Sequence, residues 1–151
     1  MILSTNINEV INRETAMFQQ VIDADKVLRE VALSAVAYMS NRIQQEGKKS
    51  DGTKLKTKAK EKFGAYSKSW GKERSKKHQT DYIDLTYSGD MMMDFLPIPI
   101  GENEYGVGFR GKNSQKADYL EEYFGDIFLP TEEEEEFIVE SLNKKLDAIF
   151  K

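Results

Sequence analysis

The stretch FLPIPIGENEYGVGFR, residues 95–110, decides the fold class of this chain. In its second half, Tyr105, Val107 and Phe109 alternate with glycine and arginine, which is the pattern of a half-buried strand. In its first half, two prolines fix an extended backbone and disfavour helix in the residue before each of them. We therefore predict an antiparallel hairpin of residues 95–100 and 104–110, with the prolines on an edge strand.

Before the hairpin, the apolar residues recur with helical spacing. They follow three- and four-residue steps from Val27 to Ile43, which predicts a helix over residues 25–46 that ends at Gly47. A broader apolar face predicts an earlier helix over residues 7–22.

Helical patterns also lie close to the hairpin on either side. Residues 88–90 begin a short helical turn just before it, and residues 117–124 after it form a short helix that stops at Gly125. A C-terminal helix follows Thr131, where Thr131 and Glu134 have the spacing of a capping box.

The 151 residues are enough for one domain. We predict a single α+β domain over residues 1–151, in which N-terminal helices and a C-terminal helix pack on a small antiparallel sheet. Residues 1–46 are its helical part, and residues 81–151 hold the hairpin and the C-terminal helix. The expected core combines apolar residues of these parts: Leu28, Val31, Val36, Phe109, Ile138 and Leu142.

Residues 47–80 differ from the rest in composition. They are polar and rich in lysine, four glycines interrupt them, and their few large apolar groups show no sustained period. A segment of this length without a pattern is functional or disordered when isolated. We therefore interpret it as a long basic arm or loop that becomes ordered only against a partner.

Composition excludes several kinds of site. The chain has no cysteine and a single histidine, which leaves no disulfide, no thiolate metal site and no pair of imidazoles.

Residues 106–111 read GVGFRG, but we expect no helix after them to hold a phosphate. The carboxylates of Asp81, Asp84, Asp90 and Asp94 have no evident catalytic partner. We expect no catalysis, no cofactor and no metal. No signal peptide or membrane span is expected either.

Charge is segregated along the chain. Residues 46–79 hold twelve basic and four acidic side chains, a net charge of +8, which leaves −12 for the remainder of a chain whose total is −4. Residues 118–140 hold ten acidic side chains and no basic one. Such unlike surfaces attract different partners or copies of the same protein. Lysines interleaved with aromatic residues also suit nucleic acid, so a nucleic-acid-binding accessory protein that uses residues 48–79 is our alternative.

From Ile83 onward the chain resembles phage tail-completion, or head–tail connector, proteins of the neck, of the minor-tail-component or virion-morphogenesis type. Four segments carry the resemblance: IDLTYSGDMMMDF at 83–95, EYGVGF at 104–109, KADYLEEYFG at 116–125 and DIFLPTEEEEEFIVESL at 126–142. The order of elements matches over nearly the whole chain.

The resemblance implies a structural virion protein that joins head and tail as a ring-forming subunit, made in the cytoplasm of the bacterial host. Its implied partners are copies of itself, with six favoured over twelve in the ring, and other neck, portal-adaptor or tail proteins. Transient contact with packaged DNA is also implied. Unlike patches suit the heterologous contacts of a ring. The candidates for the subunit interface are Lys54, Lys58, Phe63, Tyr66, Trp70, Arg74, Glu121, Glu122, Glu132 and Glu133.

Overall fold

Helices alternate with two small hairpins in the computed structural model, which describes residues 12, 13, 16 and 23–150. Between residues 23 and 150 the chain forms five helices and two antiparallel two-stranded sheets, which confirms the α+β class. In chain order the elements are α1 (Ala24–Glu46), β1 (Lys62–Phe63), β2 (Tyr66–Ser67), α2 (Lys68–Lys76), α3 (Asp90–Met93), β3 (Leu96–Gly101), β4 (Glu104–Gly108), α4 (Lys112–Phe124) and α5 (Glu132–Ile149).

The predicted helix 25–46 is confirmed as α1. It ends where expected, because Gly47 adopts the left-handed conformation and donates its N–H to the Ile43 carbonyl at 3.1 Å. The other predicted N-terminal helix, residues 7–22, lies outside the described residues apart from residues 12, 13 and 16. None of the helices in the described part of the chain is long and apolar enough to cross a membrane.

The hairpin, α3 and α5 also form as predicted. Strands β3 and β4 pair antiparallel, with Pro97 opposite Val107 and Pro99 opposite Tyr105. Helix α5 begins with the expected capping box: the Thr131 hydroxyl accepts the Glu134 N–H at 3.1 Å, and the Glu134 carboxylate accepts the Thr131 N–H at 2.8 Å. Helix α3 supplies the short turn before the hairpin.

Helix α4 begins at Lys112, earlier than the predicted 117. The expectation that no helix follows the GVGFRG stretch is therefore wrong. The first turn of α4 has no apolar repeat, so its sequence does not predict a helix. A tertiary contact holds it instead, because the buried Asn113 side chain donates to the Asp94 carboxylate.

The interpretation of residues 47–80 as an irregular arm is wrong. This segment contains β1, β2 and α2, and Leu55 is 1% exposed within the main apolar cluster of the chain. The backbone N–H groups of Leu55 and Thr57 donate to the carbonyls of Gly47 and Ala65 at 2.7 and 3.0 Å. The segment therefore belongs to the folded body of the chain. The cluster consists of Met39, Ile43, Leu55, Tyr66, Ile83, Met92, Phe95 and Ile127.

Of the six residues expected to form the core, Val31 is fully buried and the other five are half-buried. Val36 and Phe109 pack against the main cluster. Leu28, Val31, Ile138 and Leu142 line a cavity of about 350 Å³ between α1, β4 and α5, at the edge of the main cluster. The centre of the core lies elsewhere because the segment 47–80, which we had excluded, supplies part of it.

Candidate assembly surface

Arg74 anchors α2 to the chain segment that follows it. Its guanidinium donates to the Asp84 carboxylate at 2.9 Å, to the Thr80 hydroxyl at 3.1 Å, and to the Thr86 carbonyl. It also lies over the ring of Tyr66, 4.6 Å from the ring centre. Arg74 is 2% exposed and Tyr66 is 8% exposed. Burial raises the pKa of the Tyr66 phenol to about 12.

These positions correct two of our interface candidates. Tyr66 and Arg74 were expected to contact a neighbouring subunit, but both lie inside their own subunit. The reason is Asp84, whose carboxylate is the counter-ion that lets a guanidinium be buried. Sequence spacing alone does not identify which of twelve cations has such a partner.

A pocket of about 370 Å³ opens beside this network, lined mainly by apolar and aromatic side chains. Three of its aromatic residues remain partly exposed: Trp70 at 40%, Tyr87 at 45% and Tyr123 at 39%. The Trp70 and Tyr87 rings lie 4.9 Å apart. We call this site the aromatic pocket and define it by Trp70, Tyr87 and Tyr123.

Lysines border the aromatic pocket. The Lys58 ammonium lies 5.0 Å from the centre of the Tyr123 ring, and Lys77 lies over the Tyr87 ring at 4.0 Å. The Tyr123 hydroxyl bonds with the Thr57 hydroxyl at 3.2 Å and accepts the Lys58 N–H at 2.7 Å, and these bonds lower the pKa of the Tyr123 phenol. The pocket therefore combines accessible aromatic faces with a cationic rim.

Sequence reasoning found Trp70 and Lys58 but missed Tyr87 and Tyr123. The two tyrosines lie in segments read as a turn and as a short helix, and no local pattern links them to Trp70. Only the tertiary fold brings the three rings together.

The remaining candidates lie at several places. Phe63 is 41% exposed in β1, and Lys54 lies over the Tyr82 ring at 5.8 Å. Glu121 was expected at an interface, but its carboxylate is occupied within the subunit, where it accepts the N–H groups of Ile127 and Phe128 at 3.1 and 3.0 Å. Glu122 is exposed on α4.

Glu132 and Glu133 are exposed at the start of α5, away from the residues that line the aromatic pocket. The Glu133 carboxylate accepts a hydrogen bond from the Tyr38 hydroxyl at 3.0 Å, which raises the pKa of that phenol. Their neighbour Glu134 is buried and pairs with Arg42 of α1 at 2.8 Å. Sequence reasoning assigned Glu134 only a capping role, and it missed this second contact.

Inside the described part of the chain, the two oppositely charged segments noted in the sequence form no direct ion pair with each other. The cations of residues 46–79 that form ion pairs do so locally: Lys48 with Glu46, Lys49 with Asp51, Lys68 with Glu61, Lys76 with Glu73, and Arg74 with Asp84. Among residues 23–150, no ion pair joins this segment to the acidic residues 118–140.

The described residues contain no group of three or more acidic, histidine or cysteine side chains placed to hold a metal ion. Three of the four carboxylates considered for hydrolysis have separate partners: Asp84 pairs with Arg74, Asp94 accepts from Asn113 and Asp90 accepts from Ser88. Comparison with protein-family models, curated proteins and solved structures finds no match to this chain.

Proposed function

We propose that this protein is a structural subunit of a phage neck, which joins head and tail by assembling with copies of itself into a ring. The observation that carries the proposal is the aromatic pocket. Three large aromatic side chains are partly exposed around one apolar pocket, and such patches are typical of interaction sites. The resemblance of residues 83–142 to neck proteins supplies the biological setting.

The unpaired charges support the same proposal. A subunit that presents one cationic and one anionic surface can form the unlike, head-to-tail contacts that close a ring. In such an interface the buried aromatic groups supply most of the binding energy, and the charges steer and orient the subunits. The proposed role requires no catalytic step.

Trp70→Ala tests the proposal. We expect the substitution to weaken self-association at both low and high salt, because the energy lost comes from apolar contact rather than from charge. Its thermal unfolding should stay close to that of the unchanged protein, since the Trp70 side chain is 40% exposed. Sedimentation velocity across a concentration series, with a parallel thermal melt, measures both.

Tyr119→Ala is the matched control, because Tyr119 is an aromatic residue that is 61% exposed on α4 and does not line the aromatic pocket. It should assemble normally. Normal assembly of Trp70→Ala, together with much earlier melting, would instead make Trp70 a structural residue of the subunit and contradict the proposal.

Nucleic-acid binding by residues 48–79 is the second candidate function. The observation that favours it is a set of seven lysines that have no ion pair within the described residues: Lys54, Lys56, Lys58, Lys60, Lys62, Lys72 and Lys77. Under this alternative, a monomeric protein binds duplex DNA with an affinity that falls steeply as salt rises. Fluorescence anisotropy with a labelled duplex at several salt concentrations measures this slope.

A further inference from the structure

Lysine occupies every second position from residue 54 to residue 62, and this alternation continues in the structure. Lys54, Lys56, Lys58, Lys60 and Lys62 are all exposed, whereas Leu55 is buried and Thr57 and Ala59 are half-buried between them. We call these five residues the lysine row. Where a chain is extended, alternate side chains lie on one side, about 6.6–6.8 Å apart. At residues 60 and 61 this chain bends, and Glu61 is exposed. Our sequence reading noted the excess of lysine here but not its period.

An acidic row lies on the exposed side of α5. Glu132, Glu136 and Glu140 are four residues apart, which places them along one side of the helix about 6 Å from one another. Together with Glu135 and Val139 they line one shallow groove. We call Glu132, Glu135, Glu136 and Glu140 the glutamate face. Val139, at its centre, is 57% exposed and offers an apolar contact.

Neither surface is neutralised within its own subunit. The lysine row forms no ion pair with any described residue, and in the glutamate face only Glu140 does, with Lys144 at 3.0 Å. The two surfaces have opposite charge. When the two surfaces lie side by side, lysines of the row can face carboxylates along the length of the glutamate face.

We infer that the lysine row of one subunit docks on the glutamate face of α5 in the next copy. The inference rests on the proposed function and names the contact that sets the order of subunits in the ring. Because each subunit carries both rows, the contact is heterologous and can be repeated around a closed ring. Lys58 also borders the aromatic pocket, so the charged rows orient the neighbour beside the site where apolar area is buried.

Charge-reversal variants of the full chain test the pairing directly. The first, Lys56→Glu/Lys60→Glu, changes two exposed lysines whose side chains form no hydrogen bond, ion pair or ring contact with the described residues. The second, Glu135→Lys/Glu136→Lys, changes the glutamate face beyond the capping residues. Each alone should weaken self-association by about tenfold or more at about 50 mM salt, and much less at about 500 mM salt, where screening is strong.

Mixing the two variants is the decisive experiment. Within each variant alone, the two surfaces that should pair carry the same charge and repel. In the mixture, the acidic row of the first variant can dock on the basic face of the second. The unchanged lysine row of the second variant can dock on the unchanged glutamate face of the first. The mixture should therefore assemble with the strength of the unchanged protein, as rings in which the two variants alternate, and native mass spectrometry resolves their masses. The matched control, Lys112→Glu/Lys116→Glu, makes the same change of charge on α4 outside the lysine row and should assemble normally.

The outcomes separate this inference from the proposed function. If the unchanged protein is monomeric under all conditions, the proposed function fails, and this inference fails with it. If the unchanged protein assembles but the mixture does not recover, the two rows do not face each other and only the inference is overturned. If Lys56→Glu/Lys60→Glu assembles normally but loses affinity for a labelled DNA duplex, the lysine row is a nucleic-acid surface, which also overturns it.

Discussion

Removing the guanidinium of Arg42 should strongly destabilise the fold. Arg42 is 6% exposed and donates four hydrogen bonds: to the Glu134 carboxylate at 2.8 Å and to the carbonyls of Lys48, Ile127 and Leu129 at 3.0 Å each. It therefore connects α1 to the start of α5 and to the loop before it. Arg42→Met keeps a long apolar side chain but leaves the Glu134 carboxylate buried without its counter-ion.

The expected cost follows from that unpaired charge. Breaking a buried ion pair by removing one partner costs about 3–5 kcal/mol. In a chain of this size, 1 kcal/mol corresponds to a shift of about 2–4 °C in Tm, so Tm should fall by roughly 6–20 °C. A domain has only about 5–15 kcal/mol of stability in total, and the variant should therefore unfold at much lower urea concentration.

Lys145→Met is the matched control, because Lys145 of α5 pairs with Glu30 of α1 at 2.6 Å, with both side chains more than a third exposed. Breaking this exposed pair between the same two helices should lower Tm far less than Arg42→Met does, because solvent screens the two charges. A second variant, Arg42→Met/Glu134→Gln, removes the buried charge and keeps an oxygen for the Thr131 N–H. It should be more stable than Arg42→Met alone.

Urea and thermal unfolding, followed by circular dichroism, measure all three variants. A loss below about 1 kcal/mol for Arg42→Met, or a double variant less stable than the single one, would refute the reasoning. Either result would mean that the Arg42 and Glu134 side chains are not a buried pair.

Two further predictions concern the segment 47–80. Because burial raises the pKa of Tyr66 to about 12, above the ordinary value near 10, the folded state holds a proton that the unfolded state loses. The stability that this residue contributes is present below pH 10 and is lost as pH rises towards 12. Between these pH values, the free energy of unfolding measured with urea should therefore fall less for Tyr66→Phe than for the unchanged protein. An equal fall in the two proteins would contradict the assignment. Gly71→Ala should cost about 1–3 kcal/mol, because a Cβ there would lie 2.6 Å from the Phe63 carbonyl oxygen. Ser75 is exposed on the same helix, so the control Ser75→Ala should change the free energy of unfolding by under about 0.5 kcal/mol. If Gly71→Ala and Ser75→Ala had equal effects, α2 would not pack on β1.

The elements with a local signal were the predictable ones. The apolar period of α1, the capping box at Thr131 and the alternation of Tyr105, Val107 and Phe109 each depend on residues close in sequence, and each predicted its element. The predicted start of α4 was less accurate, because a side-chain contact with Asp94 holds its first turn and no apolar repeat marks it.

The segment 47–80 was not predictable in the same way. Helix α2, KSWGKERSK, has no apolar stripe, and its buried residues are a glycine and an arginine. Their burial depends on Phe63, which Gly71 approaches closely, and on Asp84, which neutralises Arg74. These are tertiary contacts, so a segment that reads as solvated becomes part of the core. The aromatic pocket has the same origin, since Trp70, Tyr87 and Tyr123 come from three separate segments.

The central claim is that the subunit assembles with copies of itself through unlike surfaces. Native mass spectrometry of the unchanged full chain, over a concentration series at low salt, tests it most directly. We predict one closed oligomer of defined copy number, with six subunits favoured over twelve, and few species between it and the monomer. A monomer at every concentration would contradict the account.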